Sequence, residues 1–236
     1  IAVEGVMKLL RFIIFALLLA VSVNAWADIW AKGNTHCHST VSDGNAPPEE
    51  VAKWYKNHGY QFLFLTDHYS IASEDIFKSL TSDKFIVLPG YEMNQRDDLG
   101  KFAIHGNALG IKEIIKPGET RDIASTLLRM RKAIVQAGGI YQINHPAFYV
   151  LDPSTVTKMP GITLIEVYNH GVAKSKFGLI GNAAFEQAWD EGLSTGRKLF
   201  CVASDDTHHY YGVGDHPPGG GWIYVRVKKL TADGKQ

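Results

Sequence analysis

The tightest constraint on this chain is where its histidines and carboxylates fall. Short apolar runs recur along the sequence, and nearly every one ends in a residue type that binds metal ions. The run from Ile29 ends in His36-Cys37-His38. Gln61 to Thr66 is followed by Asp67-His68, and Phe85 to Tyr91 by Glu92. Phe102 to Leu109 contains His105. Ile140 to Asn144 precedes His145. Ile162 to Tyr168 carries Glu166 and leads to His170, and Leu199 to Ala203 leads to Asp205-Asp206-Thr207-His208. Between these runs lie helical patterns. Pro48 to His58 has Pro at its start, Glu49 and Glu50 in its first turn and Gly59 as a stop. Thr120 to Ala137 places Ile123, Leu127, Met130 and Ile134 at helical spacing and closes on Gly138-Gly139. Asn182 to Glu191 is a third helix. Strands separated by helices predict parallel pairing through helical crossovers. The expected fold class is α/β, a closed β/α barrel of seven or eight strands, with an open doubly wound sheet as the alternative. In a barrel the C-terminal strand ends converge on one face, and that face carries the chemistry.

His36 and His38 sit two apart, so on a strand they share a face. Two imidazoles then project into one space, as a cation requires, while Cys37 points into the wall. Neutral His suits zinc, iron and manganese, and carboxylates add oxygen ligands that can bridge two ions. A single strand-end His is more often structural than a ligand. The whole set of strand ends argues for a metal cluster.

The residues that carry this pattern resemble the PHP (polymerase and histidinol phosphatase) family. Thr35 to Gly44, reading THCHSTVSDG, is similar to its HxH motif followed by Ser-Asp-Gly, and Leu65-Thr66-Asp67-His68 to its Thr-Asp-His motif. Gly90-Tyr91-Glu92, His105-Gly106-Asn107, Asn144-His145-Pro146 and Asp206-Thr207-His208 resemble the later motifs, in order. The resemblance implies a distorted (β/α)7 barrel holding two or three divalent cations (Zn, Mn or Fe). It implies that His36 and His38 hold a first cation with Glu92 and an Asp of the last motif. Glu92 bridges to a second held by His105 and His145, and Asp43, His68 and His208 hold a third. In the doubled motif, the usual spacing selects Asp206 and His208, with Asp205 and His209 as substitutes. Asp67, beside His68, is a candidate to orient a ligand or relay a proton. Together with Glu92 and His208 it makes up the candidate catalytic set.

The implied activity is that of a metal-dependent phosphoesterase. Water acidified by the cations attacks a small phosphomonoester directly, with no covalent enzyme intermediate. A carboxylic ester, carbamate or cyclic amide could be attacked by the same cluster. A noncatalytic metal-binding module is a further alternative, set against a complete set of ligand types. No Gly-x-Ser-x-Gly elbow supports a serine nucleophile. Glu166, Asn169 and His170 are candidates to line the pocket or support ligands. Arg96, Lys101, Lys174 and Lys176 are loop charges at the same end. Tyr210, Tyr211 and Trp222 are candidates for the pocket wall, and the Pro-Gly run 217–221 for a lid.

Of 236 residues, 45% are hydrophobic, which suits one globular domain. Formal net charge is zero, so there is no nucleic-acid footprint. The N-terminus reads as an export signal, with Lys8 and Arg11 before the apolar run Phe12 to Val23 and small residues at Ala25 and Ala27. That run is shorter than the roughly 20 residues of a membrane span. The expectation is a signal peptide over 1–27, with residues 1–6 upstream of the start at Met7. A single domain then occupies 28–236, with no stable membrane span after cleavage. The chain could continue past Gln236. A secreted or periplasmic protein follows, with Cys37 and Cys201 as two buried, unbridged thiols.

Overall fold

The computed structural model describes residues 28–96, 103–116, 118, 122–146, 152–174, 178–212, 214 and 216–231. The expected signal peptide lies outside these residues. Eight strands form one sheet: β1 (Ile29–Asn34), β2 (Phe62–Leu65), β3 (Ile86–Arg96), β4 (Ala103–Leu109), β5 (Ile140–Ile143), β6 (Leu164–Asn169), β7 (Phe200–Ser204) and β8 (Ile223–Val227). Their order is β7-β6-β5-β4-β3-β2-β1-β8, and the sheet curls into a nearly closed barrel. Six helices accompany it among the described residues: α1 (Pro48–Asn57), α2 (Glu74–Leu80), α3 (Ile123–Gln136), α4 (Pro153–Lys158), α5 (His170–Lys174) and α6 (Gly178–Ser194). No described helix is long and apolar enough to cross a membrane.

The expectation of uniform parallel pairing is corrected in two places. β1, β2 and β3 run parallel, as do β5, β6 and β7. β4 is antiparallel to both neighbours, and β8 is antiparallel to β1. The barrel is therefore eight-stranded, with two strands reversed. The reversal of β4 matters for the site. His105 lies near the start of its strand, opposite Asn94, yet that start is at the end of the barrel where the other strands finish.

Local sequence explains the helices. Pro48 begins α1, where its missing N–H costs nothing, and Glu49 and Glu50 sit at the positive end of the helix. Asp122 caps α3 by accepting from Ser125 N at 2.8 Å, and Leu127, Met130 and Ile134 face the core. The core has two halves. One gathers Tyr91, Met93, Ile104, Leu127, Ile143 and Phe185, and the other Val51, Tyr55, Leu63, Leu65 and Phe85.

The two cysteines differ from expectation. Cys37 is buried and donates to the Phe64 carbonyl at 3.3 Å, as a wall residue should. Cys201 is exposed, as is Phe200 before it, at the start of β7, the strand that ends the hydrogen-bonded order. Both thiols are free.

Candidate metal centre

The backbone beyond β1 stays extended, and Cys37 makes a parallel bridge to Thr207. This turns His36 and His38 to the same side, with their Nε2 atoms 3.3 Å apart. Both nitrogens lie 3.2 Å from Asp206 Oδ1. Glu92 completes this group, its two oxygens 3.4 Å from the two histidines. All four side chains are buried.

Glu92 is shared with a second group. Its Oε1 lies 3.0 Å from His105 Nδ1 and 3.2 Å from His145 Nε2. A third group forms around Asp43, whose Oδ2 is 3.4 Å from both His68 Nε2 and His208 Nε2. His38 stands between the first and third groups. Its Nε2 faces Glu92 and Asp206, and its Nδ1 faces Asp43 Oδ1 at 3.3 Å. The structure thus brings together every expected ligand: His36, His38, Asp43, His68, Glu92, His105, His145, Asp206 and His208.

These residues fit divalent cations. Bonds of about 2.0–2.2 Å from one ion place neighbouring donor atoms about 3.0–3.4 Å apart, and that is the spacing seen here. The outer nitrogens are held as metal-binding imidazoles require. His36 Nδ1 meets Glu166 Oε1 at 3.0 Å, His68 Nδ1 meets Asn94 Oδ1 at 3.1 Å, and His208 Nδ1 meets the Asp206 carbonyl at 3.0 Å. In His36 and His208 the inward nitrogen is left for the cluster, whereas both nitrogens of His68 face it, Nδ1 lying also 3.2 Å from Glu92 Oε2. Glu166 also accepts from Asn169 at 3.0 Å, from Ser204 and from the His145 backbone N–H, so it braces both histidines from behind.

The doubled Asp motif, the run 217–221 and Asp67 each take a defined place. Asp206 faces the histidines, whereas Asp205 turns away. Asp205 accepts from the N–H groups of Gly219, Gly220 and Gly221 at 2.9, 2.8 and 2.7 Å, and from Tyr55 Oη at 2.8 Å. The run 217–221, a lid candidate by composition, is tied down by that carboxylate. Asp67 is also spent on a loop. Its oxygens accept from Ser39 N and Ser42 N at 2.8 and 3.1 Å, and from both serine hydroxyls at 2.8 Å. Its carboxylate shapes the turn that carries Asp43 and meets none of the cluster side chains among the described residues, while its backbone carbonyl accepts from Glu92 N at 3.1 Å. Asp67→Ala is expected to weaken cation binding at the Asp43 group roughly tenfold while the other groups stay filled. A metal titration by calorimetry measures this. Activity lost at full cation occupancy would instead place Asp67 in the chemistry.

His216 carried no sequence signal, since it lies outside the motifs. Its ring borders Asp206 and His208, with which it forms a further group of donors close enough to hold a cation. Trp222 is on the outer wall, with Lys32 Nζ 4.5 Å over its ring, and Tyr210 is packed against the α1 half of the core. Lys174 is exposed, and the side chains of Arg96, Lys101 and Lys176 lie outside the described residues.

The electrostatics are those of a cluster built around positive charge. Burial works to lower the His38 pKa, but Asp206 and Asp43 raise it to about 9. His36 and His145 are raised in the same way, by carboxylates overcoming burial. Burial works to raise Glu92 and Asp206, yet the surrounding histidines hold both well below the usual carboxylate range. In cation-free protein the raised histidines stabilise the fold fully below their ordinary pKa of 6.5. For His38 that contribution is lost as pH rises through about 9, and for His36 and His145 as pH rises through their own raised values. The depressed carboxylates act in the acid range, losing their contribution as pH falls below their ordinary values. Chelator-treated protein is therefore expected to lose roughly 5 °C of melting temperature between pH 7 and 9, and cation-loaded protein much less. Thermal scans with chelator and with Mn²⁺ check this. Equal slopes would refute it.

No family model matches this sequence, and no curated protein matches it. Solved structures do. A protein from Bifidobacterium adolescentis, assigned as a metal-dependent phosphoesterase, aligns over 81% of this chain and 92% of its own, with TM-score 0.58 and 14% identity. A two-domain protein from Bacteroides vulgatus, containing a predicted PHP-like metal-dependent phosphoesterase, aligns over 77% and 53%, with TM-score 0.53 and 17% identity. An amidohydrolase from Chromobacterium violaceum, with bound sulfate and no metal, aligns over 79% and 93%, with TM-score 0.55 and 18% identity. The chain shares the barrel fold of these structures. At such identities the likeness is one of fold.

Proposed function

We propose that this protein is a metal-dependent hydrolase whose substrate is a small phosphomonoester. The observation that carries the reading is the sharing of ligands among the donor groups. Glu92 belongs to two of them and His38 to two, so the cations they hold are neighbours on one surface. Divalent cations bound there bring the pKa of a coordinated water toward neutrality and offset charge on substrate oxygens.

The chain's own residues set the rest. His36, His38, Asp206 and Glu92 would hold one cation, Glu92 with His105 and His145 a second, and Asp43 with His68 and His208 a third. Asp43, Glu92, Asp206 and Glu166 supply four negative charges. Three divalent cations supply six positive ones, leaving a basin that attracts a phosphate dianion.

A second reading follows from another observation. Among the described residues, no Lys or Arg pairs with the cluster carboxylates; the ionisable groups they face are all histidines. With only two cations the charges balance, and a neutral ester, carbamate or cyclic amide becomes the better substrate. The amidohydrolase among the structural neighbours is consistent with that alternative.

Elemental analysis of purified protein, joined to assays with p-nitrophenyl phosphate and p-nitrophenyl acetate, separates the two. Three cations with phosphate release support the phosphoesterase. Two cations with hydrolysis of the acetate alone favour the second reading. No bound cation after reconstitution would overturn both.

A further inference from the structure

His216 stands beside the cluster, and its surroundings give it one defined orientation. Its backbone carbonyl accepts from both His208 N and His209 N at 3.1 Å, fixing the chain at that point. Its ring fills the space left by Gly171, where an added Cβ would lie 2.0 Å from Nδ1. Its edge meets His208 in a T-shaped contact with centroids 5.1 Å apart. Nδ1 lies 3.1 Å from the Asp206 carbonyl oxygen, the same oxygen that His208 Nδ1 meets at 3.0 Å. Asp206 can aim its carbonyl at both rings because its backbone is left-handed, with φ 52°.

That carbonyl fixes the tautomer. A carbonyl oxygen has no proton to give, so Nδ1 of each ring carries the hydrogen, and Nε2 of the neutral ring is an acceptor. The two Nε2 atoms then differ in what they face. That of His208 looks at the Asp43 carboxylate at 3.4 Å, within a cation group. His216 approaches a carboxylate only through Nδ1, 3.8 Å from Asp206 Oδ2, and its Nε2 makes no hydrogen bond among the described residues. Nε2 is thus an acceptor without a protein donor among the described residues, on a ring that borders Asp206 and His208.

We propose that His216 is a specificity residue that accepts a hydrogen bond from a hydroxyl of the substrate, which makes the substrate class a hydroxyl-bearing phosphate ester of the polyol or sugar type. This rests on the phosphoesterase reading. A donor close to the group attacked satisfies Nε2, and an ester without one leaves it unpaired in a partly desolvated site.

The test compares kcat/KM for 2-hydroxyethyl phosphate and ethyl phosphate, using cation-loaded protein. The wild type is expected to favour the hydroxyl ester roughly tenfold, the worth of one hydrogen bond. In His216→Phe the ratio falls to about one, with the loss on the hydroxyl ester and cation content unchanged. Gly171→Ala, which pushes the ring aside without altering it, should erode the same ratio. Thermal melting verifies that each variant is folded. A ratio preserved in both variants overturns the proposal. So does an equal fall on both esters together with lost cations, which would make His216 a ligand. Hydrolysis of neither ester by the wild type would instead defeat the phosphoesterase reading, and this inference with it.

Discussion

Glu92→Gln is expected to leave a folded protein that holds fewer cations and hydrolyses its substrate at least roughly a thousandfold more slowly. The reason is the number of partners this one carboxylate serves. Its oxygens lie within 3.0–3.4 Å of nitrogens from His36, His38, His68, His105 and His145. Asn144 donates to Oε1 at 2.9 Å and fixes the carboxylate's rotation. Gln keeps the shape but replaces one oxygen with an amide nitrogen that cannot bind a cation, and it removes the negative charge. The first and second groups then lose their common ligand. Without cations the variant also buries raised-pKa histidines with one counter-charge fewer, so it should be prepared with metal present. Elemental analysis and steady-state kinetics measure the effect. A variant with the full cation complement and the wild-type rate would remove Glu92 from the centre of the site.

The largest expected loss of stability comes from a residue with no side chain. Gly221 sits just before β8, and a Cβ there would lie 2.2 Å from the Ser204 carbonyl oxygen and 2.4 Å from its carbon. Both are backbone atoms of β7, so no rotamer change relieves the clash. Gly221 N also donates to Asp205 Oδ1 at 2.7 Å. Gly221→Ala must therefore move β8 away from β7 and loosen the loop that Asp205 holds. The expected cost is about 4 kcal/mol or more, a fall in melting temperature of roughly 10 °C. Chemical denaturation with the cations kept saturating checks it. A cost below about 1 kcal/mol would mean that β7 and β8 separate easily.

Much of the fold was legible because strand and helix periods were clean. Leu127, Met130 and Ile134 mark the buried face of α3, and Pro48 marks the start of α1. α2 was not legible. It is only seven residues long, and its stripe of Ile76, Phe77 and Leu80 is half-buried and too short to show a period. The reversal of β4 escaped for a different reason. β3 runs on to Arg96 through the polar residues Asn94 and Gln95, which hide its second half from a hydropathy pattern. Once β3 ends at Arg96, too few residues remain before Ala103 for a helical crossover, and only a hairpin connects them.

At the site, residue type and the two-residue spacing of His36 and His38 were enough to point to a metal cluster. What each carboxylate accepts from could not be read in advance. Asp205 and Asp206 are neighbours of one chemical type, yet one faces glycine N–H groups and the other histidines. The left-handed φ of Asp206 separates them, and sequence does not encode that visibly. Glu166 was among the residues named to support ligands, but its contact with His36, and that of His216 with Gly171, run across the barrel, where no local pattern announces the partner.

The β3–β4 hairpin also bears on how the site is assembled. Glu92 and His105 are 13 positions apart and meet across the paired strands β3 and β4, whereas Asn34 and Asp205, which bring the first and last motifs together, are 171 apart. Short-range pairs close early in folding, and long-range pairs wait for the rest of the chain. During synthesis the Glu92–His105 edge can exist well before the segment bearing Asp206 has emerged. The cations thus tie the first-formed part of the molecule to its last, and scarcity of metal would fall most heavily on the final step, the closing of the barrel.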